Sequence, residues 1–276
     1  MAGSVETGSG LRFIELSHCW GHGVPVWPGD ADVKVERAVY HAKDGVMSQK
    51  LTMNMHCATH MNAPAHLIQG GSFIGALPID RFFGSGVVVS VPKLRWEQVT
   101  AEDMEQATPA VKAGDIVLIV TGWHAKFSDS QEYFGEAPGL SLSAAQWLVD
   151  RGVALVGIDT PAIDHPLATS LGLHRNGPLM RRLPSYYQAQ TGRDPHDDFP
   201  AWNPAHRLLL AANIPTIENV GGDVASILNS RCMIHAAPWR WIDGDACVIR
   251  LMAIVDAGGE YRIETGVGSA RVHGNP

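Results

Sequence analysis

Apolar positions along this chain fall into short runs broken by glycine, proline and polar clusters. Runs of this length, rich in β-branched residues or alternating with polar ones, predict strands. Residues 11–16 form the first. Residues 33–40 and 48–55 alternate and form two more. Residues 86–91 and 115–121 are β-branched enough to predict buried strands. Residues 100–108 read as a short helix, with Thr100 as its cap and Asp103 in its first turn. Residues 141–151 carry a helical apolar face of Ala144, Ala145, Leu148 and Val149. Ser141 caps that helix and Gly152 stops it. A strand over 154–158 follows, and the order helix, glycine, strand is an α/β crossover. A helix over 204–212 leads into a strand over 214–220. Two closing strands are expected at 232–237 and 246–255.

Two stretches resist this reading. Residues 17–30, SHCWGHGVPVWPGD, hold too many glycines and prolines for a regular element and predict a structured loop. Residues 166–204 are irregular, and a long insertion of that kind is expected to cover the site or an oligomer interface. Residues 67–80 are a glycine-rich connection. Residues 1–10 are Gly/Ser-rich and expected to be disordered, as is a loose tail over 267–276. Between them, residues 11–266 read as one domain, with no linker in the middle.

A formal net charge of −7 over 276 residues, with no basic stripe, argues against nucleic acid as a partner. The four cysteines, Cys19, Cys57, Cys232 and Cys247, form no Cys-x-x-Cys pair, which argues against a zinc ribbon or redox motif. Cys57 reads as a small buried apolar residue. The N-terminus has neither a basic start nor an apolar run, and no stretch approaches the length of a membrane span. A cytoplasmic, reduced protein acting on a small molecule is expected.

Chemistry concentrates between residues 55 and 67, MHCATHMNAPAHL. His56, His60 and His66 fall within eleven residues. Pro64 argues against a regular helix through them, so an irregular loop should aim several imidazoles into one pocket. Asp159, Asp164 and His165, near a proline, read as turn-formers. His174, His196, Asp197 and Asp198 read as a solvated loop. Glu218 is odd, because a carboxylate in an apolar strand is costly unless paired or coordinated.

The 56–66 segment resembles the signature of the metal-dependent cyclase family, which includes bacterial kynurenine formamidases and isatin hydrolases. That signature runs His-x-Gly-Thr-His-x-Asp-x-Pro-x-His. It is met here by His56, Thr59, His60, Pro64 and His66, with Ala58 for glycine and Asn62 for aspartate. A Leu-Ser-His entry, a Pro-x-Trp-Pro-Gly-Asp turn holding Trp27, the Asp159–Asp164 segment, and His206 twelve residues before Glu218 extend the resemblance from about residue 11 to 255.

The resemblance implies an α/β single domain with a β-barrel-like mixed sheet and flanking helices, of the swivelling β/β/α type, assembled as a homodimer or homotetramer. It implies a hydrolase that cleaves a C–N bond of a small aromatic amide, formamide or lactam with metal-activated water. His56, His60 and Asn62 would hold the metal, and His206 and Glu218 would complete the site or hold a second ion. His66 would be the acid/base, and Trp27 would lie against the substrate's ring. Zinc and manganese both suit such ligands. The neutral Asn62 lowers the expectation to one tightly bound ion. A lactone hydrolase or dehydratase using the same residues, or a binding protein with a degenerate site, is the alternative. Retention of His56, His60, His66, His206 and Glu218 speaks against degeneracy.

Overall fold

The strands marked by the sequence pattern pair into one ten-stranded mixed sheet in the computed structural model, which describes residues 4–7, 10–256 and 259. The order across the sheet is Val5–Glu6, Leu11–Glu15, Met252–Asp256, Ser230–His235, Phe83–Ser90, Ile116–Val120, Leu155–Ile158, Thr216–Glu218, His60–Asn62 and Ala246–Val248. The four strands from Phe83–Ser90 to Thr216–Glu218 are parallel, and the remaining pairings are antiparallel.

The sheet is strongly curled, and the chain's connectivity requires it. Met252–Asp256 and Ala246–Val248 are third and tenth in the order, yet only residues 249–251 join them. Seven flat strand spacings would span about 34 Å. Three connecting residues reach at most about 14 Å. The two ends must therefore approach each other in a β-barrel-like arrangement. Backbone bonds close this corner: Leu16 N donates to Leu251 O at 2.9 Å, and Ile249 N donates to Thr59 O at 3.1 Å. The single strand expected over 246–255 is thus two strands. Ile249 and Leu251 at the corner are themselves buried, so the apolar run gives no sign of the break.

Alternation along the central strands sorts two cores. Val88 and Leu118 pack on one face with Ile14, Met61, Ile234 and Cys247. Val87, Val89, Val117 and Ile119 pack on the other against Leu148 and Leu209, from helices Leu142–Arg151 and Pro204–Ala211. Ser141 Oγ accepts from Ala144 N at 3.1 Å, and Gly152 ends the helix in the left-handed region, as the sequence predicts. Thr100 and Asp103 form a capping box on Ala101–Glu105.

Three expectations need correction. Val5–Glu6 is a short strand paired with Leu11–Glu15, where disorder is expected from composition. Lys34–Val39 and Ser48–Thr52 pair only with each other, in a separate exposed ribbon, because neither presents a continuous apolar face to the sheet. The 166–204 segment holds helices Leu183–Thr191 and Pro195–Asp198, and it buries Leu171, Leu183 and Tyr187 against Trp123 and Phe134. The tail expected over 267–276 lies outside the described residues. Among the described residues, no helix is long and apolar enough to cross a membrane.

Candidate metal centre

A cavity of about 450 Å³ opens beside the end of the Thr216–Glu218 strand. His56, His60, His66, His206, Glu218 and Trp27 all line it. The three clustered histidines arrive on three kinds of backbone: His56 from a loop, His60 from the His60–Asn62 strand, and His66 from a single 3₁₀ turn opened by Pro64. The irregular loop expected here is therefore partly regular. Ring centroids lie 5.3 Å apart for His56 and His60, 4.2 Å for His56 and His66, and 5.7 Å for His66 and His206.

Glu218 anchors one side of the floor. Its Oε2 lies 3.0 Å from His60 Nε2, and its Oε1 lies 3.7 Å from His206 Nδ1 and accepts from Ile163 N at 3.0 Å. Burial alone would raise this carboxyl, but the neighbouring His60 and His206 hold it below the ordinary glutamate range. Burial pushes His206 down, against the pull of Glu218. His206 is held in place by two contacts: its Nε2 meets Thr216 Oγ1 at 2.8 Å, and its backbone N donates to Asp164 Oδ2 at 2.9 Å. Asp164 also accepts from Ala205 N at 2.8 Å, so it satisfies two free amides at the start of the Pro204–Ala211 helix.

His60 and Glu218 form a pairing that can take up a cation. Ala58 O can only accept, so the 2.9 Å contact from His60 Nδ1 puts the proton on Nδ1. Glu218 Oε2 lies 3.0 Å from His60 Nε2 but off the axis along which that nitrogen would donate or coordinate. His60 Nε2 has no hydrogen-bond partner despite being buried. A positive charge, either a proton on the imidazole or a metal ion, suits such a pair. Atoms bound about 2.1 Å from one ion lie about 3.0–3.4 Å apart, so this spacing suits two ligands of a single divalent ion. The mixture of imidazole and carboxylate is that of zinc and manganese sites.

The other side of the floor rests on a residue that sequence reasoning missed. Asp245 Oδ2 accepts from both His56 Nε2, at 2.9 Å, and His66 Nδ1, at 3.2 Å. These contacts draw the Asp245 carboxyl well below the usual range. His56, His66 and Asp245 each offer a ligand atom within 4.8 Å of the others. Asp245 lies in a turn before the Ala246–Val248 edge strand, and its sequence context signals only a turn. Asn62 does not line the cavity: it is fully buried, and neither its Oδ1 nor its Nδ2 has a hydrogen-bond partner.

Two tryptophans stand in the walls. Trp27 packs edge-on to Phe134 at 6.3 Å and donates from Nε1 to Ser170 Oγ at 3.3 Å. Trp202 and Arg175 face the cavity from the 166–204 segment, the guanidinium 4.5 Å from the Trp202 ring. That segment therefore contributes to the cavity lining. Other candidates stay structural. Asp159 is consumed by Thr121, Gly122 and His124. His165 stacks on Phe199 and burial pushes it down to about 3. Burial pushes the Cys57 thiol up to about 11. His174 bonds Phe199 O, and Asp198 bonds Tyr187 and Arg193.

Comparison with known proteins agrees with this architecture. A family model named Cyclase, described as "Putative cyclase", matches residues 14–165, more than half of the chain. The chain belongs to that family. It is 26% identical over 166 residues to a kynurenine formamidase of Erythrobacter litoralis, covering 59% of this chain and 73% of that one. An isatin hydrolase bound to the product analogue thioisatinate superposes with a TM-score of 0.70 at 17% identity, covering 89% of this chain and 93% of that one. A structure described as a potential metal-dependent hydrolase with cyclase activity superposes at 0.63, with 20% identity and coverage of 88% and 98%.

Proposed function

We propose that this protein is a metal-dependent hydrolase that cleaves the C–N bond of a small aromatic amide, formamide or lactam. The observation that carries the reading is the His60–Glu218 contact: a buried imidazole nitrogen and a carboxylate oxygen 3.0 Å apart with no hydrogen bond joining them. Kynurenine formamidase and isatin hydrolase among the similar proteins support the substrate class.

His56, His60, His206 and Glu218 would hold the ion, zinc or manganese, with Asn62 as a neutral neighbour. One tightly held ion per chain is proposed. When bound, such an ion polarises a carbonyl and makes water acidic. The remaining chemistry belongs to the chain. Asp245 fixes the proton of His66 on Nδ1, which leaves Nε2 free. From there His66 can take a proton from the attacking water and return one to the leaving nitrogen. Trp27 and Trp202, which line the cavity, offer aromatic surface to a planar ring, with Arg175 and Arg207 over the Trp202 ring.

A panel of N-aryl formamides, cyclic aryl amides and aryl lactones, offered to zinc- and manganese-loaded protein, tests the proposal. Turnover of the amides is expected. Turnover of lactones alone would move the reaction to C–O cleavage. Metal uptake with no turnover of any member would favour a binding role.

A further inference from the structure

We propose that Asp245 is itself a metal ligand, sharing the ion with His56, and that it supplies the negative charge the neutral Asn62 does not. The inference rests on the metal-dependent reading above and adds a residue to it. Each half of the floor sets an imidazole nitrogen against a carboxylate oxygen at a similar separation, hydrogen-bonded on the Asp245 side, where an ion would take the place of the shared proton. On one, His60 Nε2 and Glu218 Oε2 are 3.0 Å apart; on the other, His56 Nε2 and Asp245 Oδ2 are 2.9 Å apart. Both separations approach the about 3.0 Å between neighbouring ligand atoms of one ion.

Charge favours the assignment. Neutral imidazoles leave a dication's charge uncompensated, and a low-dielectric floor makes that costly. Glu218 supplies one negative charge. The His60–Asn62 strand supplies none, because an amide is neutral and offers one donor oxygen. Asp245 stands beside the gap: Ala246, the next residue, is the register partner of Asn62, and Ala63 N donates to Asp245 O at 2.8 Å. The carboxylate is half-exposed and lies in a turn, where it can adjust to the ion. His66 keeps its Nδ1 bond to the same carboxylate and stays outside the ligand set, an arrangement common around metal-bound carboxylates.

The decisive measurement is metal affinity, read by calorimetric titration of demetallated protein with zinc and with manganese. The chains compared are the wild type, Asp245→Asn and Asp245→Ser. Asp245→Asn should weaken binding more than about 100-fold, beyond the 10–100-fold that loss of an outer partner costs. Asp245→Ser, expected to behave as Asp245→Asn, guards against a specific effect of the introduced amide, and thermal melts confirm folding. A loss under about 100-fold in either folded variant overturns the proposal. Wild-type protein that takes up neither ion overturns the metal-dependent function itself, whereas tight wild-type binding with an indifferent Asp245→Asn overturns only this assignment.

Discussion

Glu218 and His60 face each other as register partners across adjacent antiparallel strands, with His60 Nε2 3.0 Å from Glu218 Oε2. The backbone pairing of the sheet therefore sets the distance between two proposed ligands, and loop movement does not enter into it. Rigid support of this kind is what a metal site requires. Dialysis against a chelator should abolish hydrolysis, and zinc or manganese should restore it. Glu218→Gln should lower metal content while leaving the sheet intact by circular dichroism. Full turnover by rigorously metal-free protein would show that the contact serves another purpose.

His66 tests the division between ligand and proton carrier. His66→Ala should keep its metal and lose turnover by about 10²–10⁴-fold, the usual worth of a positioned acid/base. Metal content and kcat are read on the same preparation. Loss of the ion would make His66 a ligand.

Trp27 has two duties, since it lines the cavity and also packs against the aromatic cluster around Phe134. Trp27→Ala should raise KM for an aromatic amide by more than stability alone explains. Trp27→Phe, which keeps an aromatic face, should recover much of that loss. Equal KM values in folded Trp27→Ala and wild type would confine the residue to packing.

Asp164 makes stability depend on pH in an unusual direction. Burial raises its carboxyl from 3.8 to about 7, against the two amide hydrogen bonds from His206 and Ala205 that favour the charged form. Between those values the folded state keeps a proton that the unfolded state has released. Its contribution is full below about pH 4 and is lost as pH rises through about 7. Asp164→Asn cannot ionise, so its melting temperature relative to wild type should climb over that window. A difference that stays flat with pH would mean that Asp164 is already ionised when folded.

Much of this was legible from the chain because the signals were local. Ser141, Gly152, Thr100 and Asp103 punctuate helices through hydrogen bonds within a few residues. His56, His60 and His66 are close in sequence, and Glu218 betrays itself as a carboxylate in an apolar strand. Asp245 gave no such sign. It joins the site only because the Ala246–Val248 strand pairs with His60–Asn62, a contact between distant parts of the chain. Trp202 and Arg175 were hidden for a related reason, since the 166–204 segment takes its shape from packing on Trp123 and Phe134 and not from periodicity. Asn62 lies on the His60–Asn62 strand, where an irregular loop is expected, and its buried side chain does not line the cavity it is expected to share as a ligand.

The tight corner at residues 249–251 carries a kinetic consequence. Residues near position 60 and position 245 must meet before the cavity has a complete floor, and the chain between them contains most of the molecule. Long-range pairing of this kind closes late and slowly, because the entropy of the intervening loop is lost before the contacts form. During synthesis the histidines at 56, 60 and 66 leave the ribosome long before Asp245 does. An emerging chain therefore shows an unfinished sheet edge at His60–Asn62 until its last strands arrive. That interval is when the protein is most exposed to mispairing with a neighbour.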